Sequence, residues 1–225
     1  MSHKRLVKDL LPLKITSPPV SLGKGDWLGL EYVNYRDDKN VERRWERCIR
    51  NQQRPSQSEG TVAVNAIDIH ALLLPEGGSQ EPEILLVIQY RPAIERYCIE
   101  FPSDANDHDP LDCAQRELRE ETGYLIPKDQ FELVQVPVAY EPGLTNSCCY
   151  IARVTIDTSN KETSLAQEPA LEPDEWSLQS IKLPLNDLLH HLTELQKAQN
   201  GLLMIDSRLH AFASALDISK KLSLS

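Results

Sequence analysis

Apolar positions along this chain fall into two rhythms. In Thr61 to Leu74 and Ile84 to Tyr90 they crowd together with few polar breaks, as in strands covered on both faces, so these two are predicted as central strands. Trp27 to Tyr35 and Val41 to Arg50 are rich in Val, Tyr, Trp and Ile on either side of Asp37-Asp38-Lys39-Asn40, which predicts a hairpin. Further strands are expected around Phe131 to Tyr140, Ser147 to Ile156 and Trp176 to Leu183. The second rhythm is helical. Leu111, Ala114 and Leu118 make a stripe over Pro110 to Thr122, with Asp109 as N-cap, Pro110 at the first helical position and Gly123 as the stop. Asn186 to Gln196 and Ser207 to Leu222 repeat Leu and Ala at the same spacing, with Asn186 and Asp206 as caps.

Between these elements the chain is polar or broken. Pro12, Pro18, Pro19, Gly23 and Gly25 mark residues 1–25 as an extended arm, Asn51 to Gly60 as a loop, and Pro75-Glu76-Gly77-Gly78 as a turn. Asp157 to Pro173 reads as a long acidic loop. There is no internal repeat. Strands, one helix, more strands and then two terminal helices predict an α/β fold with a mixed sheet and the first helix packed on it.

Composition narrows this. A length of 225 residues suits one well-cored domain with an attachment, and we divide it into an N-terminal arm and hairpin at 1–60 and a main domain at 61–225. No apolar run approaches the roughly 20 residues of a membrane span, and Met1 to Leu13 lack the apolar core of a secretory signal, so no membrane partner is expected. Cys48, Cys98, Cys113, Cys148 and Cys149 show no metal or redox spacing, which fits reduced thiols in the cytoplasm or nucleus. The net charge of −10 argues against a nucleic-acid partner, whose backbone needs clustered Lys and Arg.

The chemistry concentrates on the first helix. Glu117, Glu120 and Glu121 stand at spacings of three and four, so their carboxylates are expected to share a face. Like charges there repel by roughly a few tenths of a kcal/mol per pair. Magnesium, which takes hard oxygen ligands at roughly 2.1 Å and bridges carboxylates to phosphates, would relieve them. Pairing with Arg116 and Arg119 on a solvated face would do so equally.

The string Arg116 to Tyr124, Arg-Glu-Leu-Arg-Glu-Glu-Thr-Gly-Tyr, resembles the latter half of the Nudix box. The resemblance implies an α/β/α sandwich with an N-terminal β-arm, Glu117 and Glu121 as principal metal ligands, Glu120 as a further one, and Arg116 as the residue orienting them. Magnesium is the implied ion, with manganese as an alternative. Counting back along the full box places His108 where it has glutamate and Pro102 where it has glycine. Glu100-Phe101-Pro102-Ser103-Asp104 stands in place of the Glu-Phe-Pro-Ala-Gly of related sugar-nucleotide enzymes, and the implied carbonyl ligand is Ser103.

The likeness extends from about Asp26 to Leu216 and is nearest to the eukaryotic ADP-ribose and ADP-sugar pyrophosphatases. It is carried by Trp45-Glu46, Gln89-Tyr90-Arg91-Pro92, Glu141-Pro142-Gly143-Leu144-Thr145-Asn146 and Leu183-Pro184-Leu185-Asn186-Asp187. It implies a homodimer with exchanged N-terminal strands, adenine stacked between Trp27 and Trp45, one from each subunit, and Glu46 accepting from the adenine edge. Arg50 and Arg91 would meet the diphosphate, with Glu141 also at the substrate. The general base would be Glu175, with Glu172 and Asp174 as rivals. The implied reaction is hydrolysis of an ADP-sugar to AMP and a sugar phosphate. Hydrolysis of another diphosphate, an oxidised nucleoside diphosphate or an isoprenoid diphosphate, and binding of ADP-ribose with weakened catalysis are the alternatives.

Overall fold

The computed structural model describes residues 13–51, 64, 66–74, 81–105, 109–159 and 168–223, and the chain clusters into two compact units. One is Met1–Ala63 with Ala139–Cys148, the other Val64–Val138 with Cys149–Ser225. The turn at Ala139–Cys148 thus joins the first unit although it is remote in sequence.

In the first unit β3 (Leu28–Arg36) lies between its neighbours. The predicted hairpin forms: β4 (Glu42–Arg50) runs antiparallel to β3 along its whole length, from Leu28 opposite Arg50 to Arg36 opposite Glu42. Asp37 closes the turn, its Oδ1 accepting from the amides of Lys39 and Val41 at 2.9 Å each, while Asn40 takes a left-handed φ of 64°. The other edge of β3 is shared by β1 (Lys14–Ile15) and β2 (Val20–Lys24). The extended arm therefore contains two strands separated by Pro18-Pro19, which cannot donate to a ladder. This sheet covers little of itself. Every residue of β2 is exposed, and on β4 only Arg47, Cys48 and Ile49 are partly covered.

The second unit is built on β5 (Ala66–Leu74), β6 (Glu83–Arg91), β7 (Arg96–Glu100), β8 (Ser103–Ala105), β9 (Glu132–Ala139), β10 (Cys148–Asp157), β11 (Gln179–Pro184) and β12 (Leu203–Ile205). The order is β12-β7-β6-β5-β10-β9, with β11 beside β6 and β8 beside β5. Pairing is parallel at β12–β7 and β5–β10 and antiparallel between β5 and β6 and between β6 and β7, so the sheet is mixed, as expected. The two strands read as central, β5 and β6, are central.

Strand alternation splits the core into two layers. Ile67, Ile69, Ala71 and Leu73 of β5 meet Ala114 and Leu118 of α1 (Pro110–Thr122). Ile84, Leu86, Ile99 and Phe101 meet α2 (Leu188–Ala198) and α3 (Ser207–Ser223) on the other face. The three helices among the described residues lie on two faces of a mixed sheet and make the α/β/α sandwich that was predicted. Leu118 is fully buried, and truncating such a leucine to alanine costs about 2–5 kcal/mol.

Several details differ from the linear reading. Asn186 does not cap α2: Asp187 precedes it at φ 55° with no side-chain cap bond, and both side chains accept instead from Lys220 of α3, at 2.9 and 2.7 Å. Asp206 does cap α3, its Oδ1 accepting from Arg208 N at 2.8 Å. Trp176 is no strand residue. Pro173 starts a short 3-10 turn, Pro173–Glu175, that delays β11 to Gln179. The strands β7, β8 and β12 were not anticipated, the last two being too short to show a period. Thr61 to Ala63, Asn65, the Pro75 to Gly78 turn and His108 lie outside the described residues. No helix among those described is long and apolar enough to cross a membrane.

Candidate active site

Helix α1 is set rigidly at both ends. Asp109 accepts from the amides of Leu111 and Asp112 at 2.8 and 3.2 Å, satisfying donors that a helix start leaves open. Gly123 ends it at φ 79°, its amide donating to Arg119 O at 2.8 Å, a left-handed stop that suits glycine. Gln115 Nε2 donates to Ile126 O at 2.6 Å and fastens the chain that follows.

On this helix Glu117 and Glu121, one turn apart, are 2% and 1% exposed. Glu175 arrives from the loop before β11, and one carboxylate oxygen from each of the three lies within 4.8 Å of the others. Glu175 is held in place by its own turn, its Oε2 accepting from Glu172 N at 2.8 Å. Upstream, Ala170 N donates to Glu120 O at 2.8 Å, so the loop is laid along α1 before it delivers Glu175.

The expected trio on one helix face is thus rearranged. Glu120 stands outside the cluster, accepting from Arg116 Nη1 at 2.9 Å. The same Arg116 nitrogen pairs with Glu117. Glu175 joins α1 and Glu172 is exposed and caps the 3-10 turn, while the side chain of Asp174, the third acidic residue of this loop, lies outside what the structure describes. Three carboxylates this close repel by about 3 kcal/mol per pair at an effective dielectric near 20. Arg116 offsets part of that, and a set of hard oxygen donors, two of them withdrawn from water, could hold a divalent cation. Ser103 begins β8, which packs beside α1, and lies opposite Asp68 of β5.

Arg91, at the end of β6, donates through Nε to Oε1 of the buried Glu100 at 2.8 Å, and Nη2 pairs with the same oxygen at 2.8 Å. Burial pushes the Glu100 carboxyl above its ordinary range, and the Arg91 guanidinium pulls it back part of the way.

A second buried network was not foreseen. Arg208 Nη1 donates to both oxygens of Asp68, at 2.9 and 2.7 Å, while its Nε and Nη2 donate to Asp206 at 2.9 and 3.0 Å. The available signal was Asp68 itself, a charged residue inside the apolar run Ala66–Leu74 that ends up 2% exposed.

The remaining candidates sit in the first unit. Trp27 is 73% exposed just before β3, and Trp45 is 50% exposed on β4 with its Nε1 donating to Gly143 O at 3.2 Å. Alternation along β4 puts Glu46 and Arg50 on the face opposite Trp45, and both are exposed. The carbonyl of Glu141 accepts from Leu144 N and Thr145 N at 2.9 Å each, shaping the turn that reaches Trp45.

No family model matches the chain. It is 30% identical over 198 residues to the ADP-sugar pyrophosphatase of Mus musculus, covering 87% of this chain and 84% of that one. It is 33% identical over 198 residues to a Nudix hydrolase of Schizosaccharomyces pombe, covering 87% and 88%. It is 31% identical over 202 residues to the ADP-ribose pyrophosphatase of Saccharomyces cerevisiae, covering 87% and 79%. Among solved structures, a crystal structure of an ADP compounds hydrolase superposes with a TM-score of 0.51 at 19% identity, over 87% of this chain and 100% of that one. With relatives of this similarity across most of its length, and with two glutamates of the helix that carries the box gathered beside Glu175, the chain belongs to the Nudix hydrolase family.

Proposed function

We propose that this protein hydrolyses the diphosphate of ADP-ribose or a related ADP-sugar to AMP and a sugar phosphate, using magnesium bound by Glu117 and Glu121, with Glu175 beside them as the general base. The observation that carries the reading is the arrival of Glu175 beside the two buried glutamates of α1, in a chain similar to enzymes named for ADP-sugars and ADP-ribose. Bound magnesium would supply Lewis acidity toward the diphosphate and the attacking water. Manganese satisfies the same donors.

The chain's own residues do the rest. Glu175 removes the proton from the attacking water, its position set by the bond from Glu172 N. Arg116 orients Glu117 and draws Glu120 away from the cluster. The Ser103 carbonyl adds a further oxygen donor. Arg91, steadied by Glu100, offers its planar fork to the diphosphate. Trp27 and Trp45, one from each subunit of a dimer, stack on adenine, which a purine face rewards with roughly 1–3 kcal/mol per base. Glu46, Arg50 and Glu141 supply polar contacts to the nucleotides bound by the dimer.

Dimerisation belongs to this reading. Val20, Leu22, Leu28 and Leu30 are between 40% and 55% exposed on a sheet that covers little of itself, which suits pairing with a second copy. The acidic net charge of −10 favours a small-molecule partner over nucleic acid. Five free cysteines suit the reducing cytoplasm or nucleus.

The test is release of AMP from a panel of ADP-sugars with magnesium, with chelator and with manganese. Metal-dependent AMP release from ADP-ribose or another ADP-sugar is expected. Absence of turnover on every member overturns the reading, and binding without turnover would make the protein an ADP-ribose receptor.

A further inference from the structure

We infer that Arg208 is a positioning residue for this reaction: it clamps together the two fasteners of segment 99–103, which carries Glu100 and Ser103. The inference rests on the proposed roles of Ser103 and Arg91.

The segment is tied down at both ends by neighbouring backbone. At its start, Asp206 N donates to Ile99 O at 3.0 Å. At its end, Ile69 N donates to Pro102 O at 2.8 Å, and Asp68 faces Ser103 across the short β5–β8 ladder. The two ties come from elements far apart in sequence, the start of α3 and the middle of β5. The guanidinium of Arg208 joins them, taking Asp206 with Nε and Nη2 and both oxygens of Asp68 with Nη1, all between 2.7 and 3.0 Å. Between the ties sits Glu100, which holds Arg91 at 2.8 Å. A shift at either tie would therefore move the Ser103 backbone and the Glu100–Arg91 pair together.

A planar fork is what this geometry demands. Lysine carries the same charge but presents a single nitrogen on a flexible stem, so it can neutralise one carboxylate and cannot hold two at fixed separation. Were Arg208 only a source of countercharge for buried Asp68, lysine would restore much of its contribution. If it is a clamp, lysine fails.

The measurement is the dissociation constant of Mn2+ on the full-length protein by electron paramagnetic resonance, for the parent, Arg208→Lys and Asp206→Asn, with circular dichroism to establish folding at the same temperature. Both variants are expected to fold and to bind Mn2+ about tenfold more weakly, the scale typical of groups that orient metal ligands. For ADP-ribose, kcat/KM is expected to fall by at least as much. Folded variants with the parent's Mn2+ affinity overturn the inference, as does full rescue by lysine. A parent that binds Mn2+ and releases no AMP refutes the proposed substrate while leaving the Mn2+ comparison valid. A parent that binds no Mn2+ removes both. Should Arg208→Lys fail to fold, Asp206→Asn decides, since it loses charge at one tie and keeps the amide that reaches Ile99.

Discussion

Glu121 on α1 and Glu175 on the loop before β11 bring carboxylate oxygens within 4.8 Å of each other. Two acids in one site can divide the work between ligand and base. Glu175→Gln is expected to lower kcat by roughly 100- to 10,000-fold with little change in KM, because proton removal belongs to the transition state. Glu121→Gln is expected to weaken metal binding as well as turnover. Steady-state kinetics over a magnesium titration separate the two, and a Glu175→Gln variant within a few-fold of the parent kcat would refute the base assignment.

The exposed tryptophans make a second test. Trp27→Ala and Trp45→Ala should each weaken ADP-ribose binding by about 1–3 kcal/mol in calorimetry, with thermal stability of the Trp27 variant nearly unchanged because that ring is 73% exposed. Unaltered affinity in both variants would remove adenine from this surface.

His70 supplies a pH test independent of catalysis. It stacks on Phe101 with ring centroids 4.1 Å apart and meets Phe212 edge-on at 5.6 Å. Burial pushes its pKa down from 6.5 to about 4, with Arg153 and Arg208 adding to the shift. Between those values the unfolded chain binds the proton and the folded one does not, so stability rises with pH across the window and is lost as pH falls from 6.5 toward 4. The loss is on the order of 3 kcal/mol at most. His70→Gln should flatten this part of the stability profile in urea titrations, and an unchanged slope would show that other groups govern it.

Gly123 closes α1 at φ 79°, where any Cβ is strained. Gly123→Ala should cost about 1 kcal/mol and lower Tm by roughly 2–4 °C in calorimetry. A variant as stable as the parent would contradict the strain.

How much of this was legible in the chain depended on the range of each signal. Asp109, Pro110 and Gly123 act on their immediate neighbours, and α1 runs between them as read, Pro110–Thr122. The alternation of β3 and β4 around Asp37 was equally local. Glu117 and Glu121 could be placed on one helix by spacing, but the withdrawal of Glu120 to Arg116 depends on side-chain packing that spacing does not encode. Glu175 reaches the cluster from the Pro173–Glu175 turn, in which Glu172 and Glu175 each accept from the other's backbone, a reciprocal exchange that a linear count of acidic residues does not show. Arg208 and Asp68 are 140 positions apart, beyond any local pattern, and only the oddity of an aspartate in an apolar strand hinted at a partner.

The parallel ladder of β5 and β10, from Ala66 beside Cys149 to Leu74 beside Asp157, has a consequence for how the molecule forms. Hairpin contacts such as β6–β7 close short loops, whereas this pairing must wait until the whole intervening chain, α1 included, has been synthesised and brought round. Until then β5 has one sheet edge bare and Ile67, Ile69 and Ala71 partly uncovered. On the ribosome, a nascent chain stalled before residue 149 would therefore present a sticky intermediate. Its refolding in vitro should be slow and sensitive to protein concentration, the mark of an edge open to strangers before its own strand arrives.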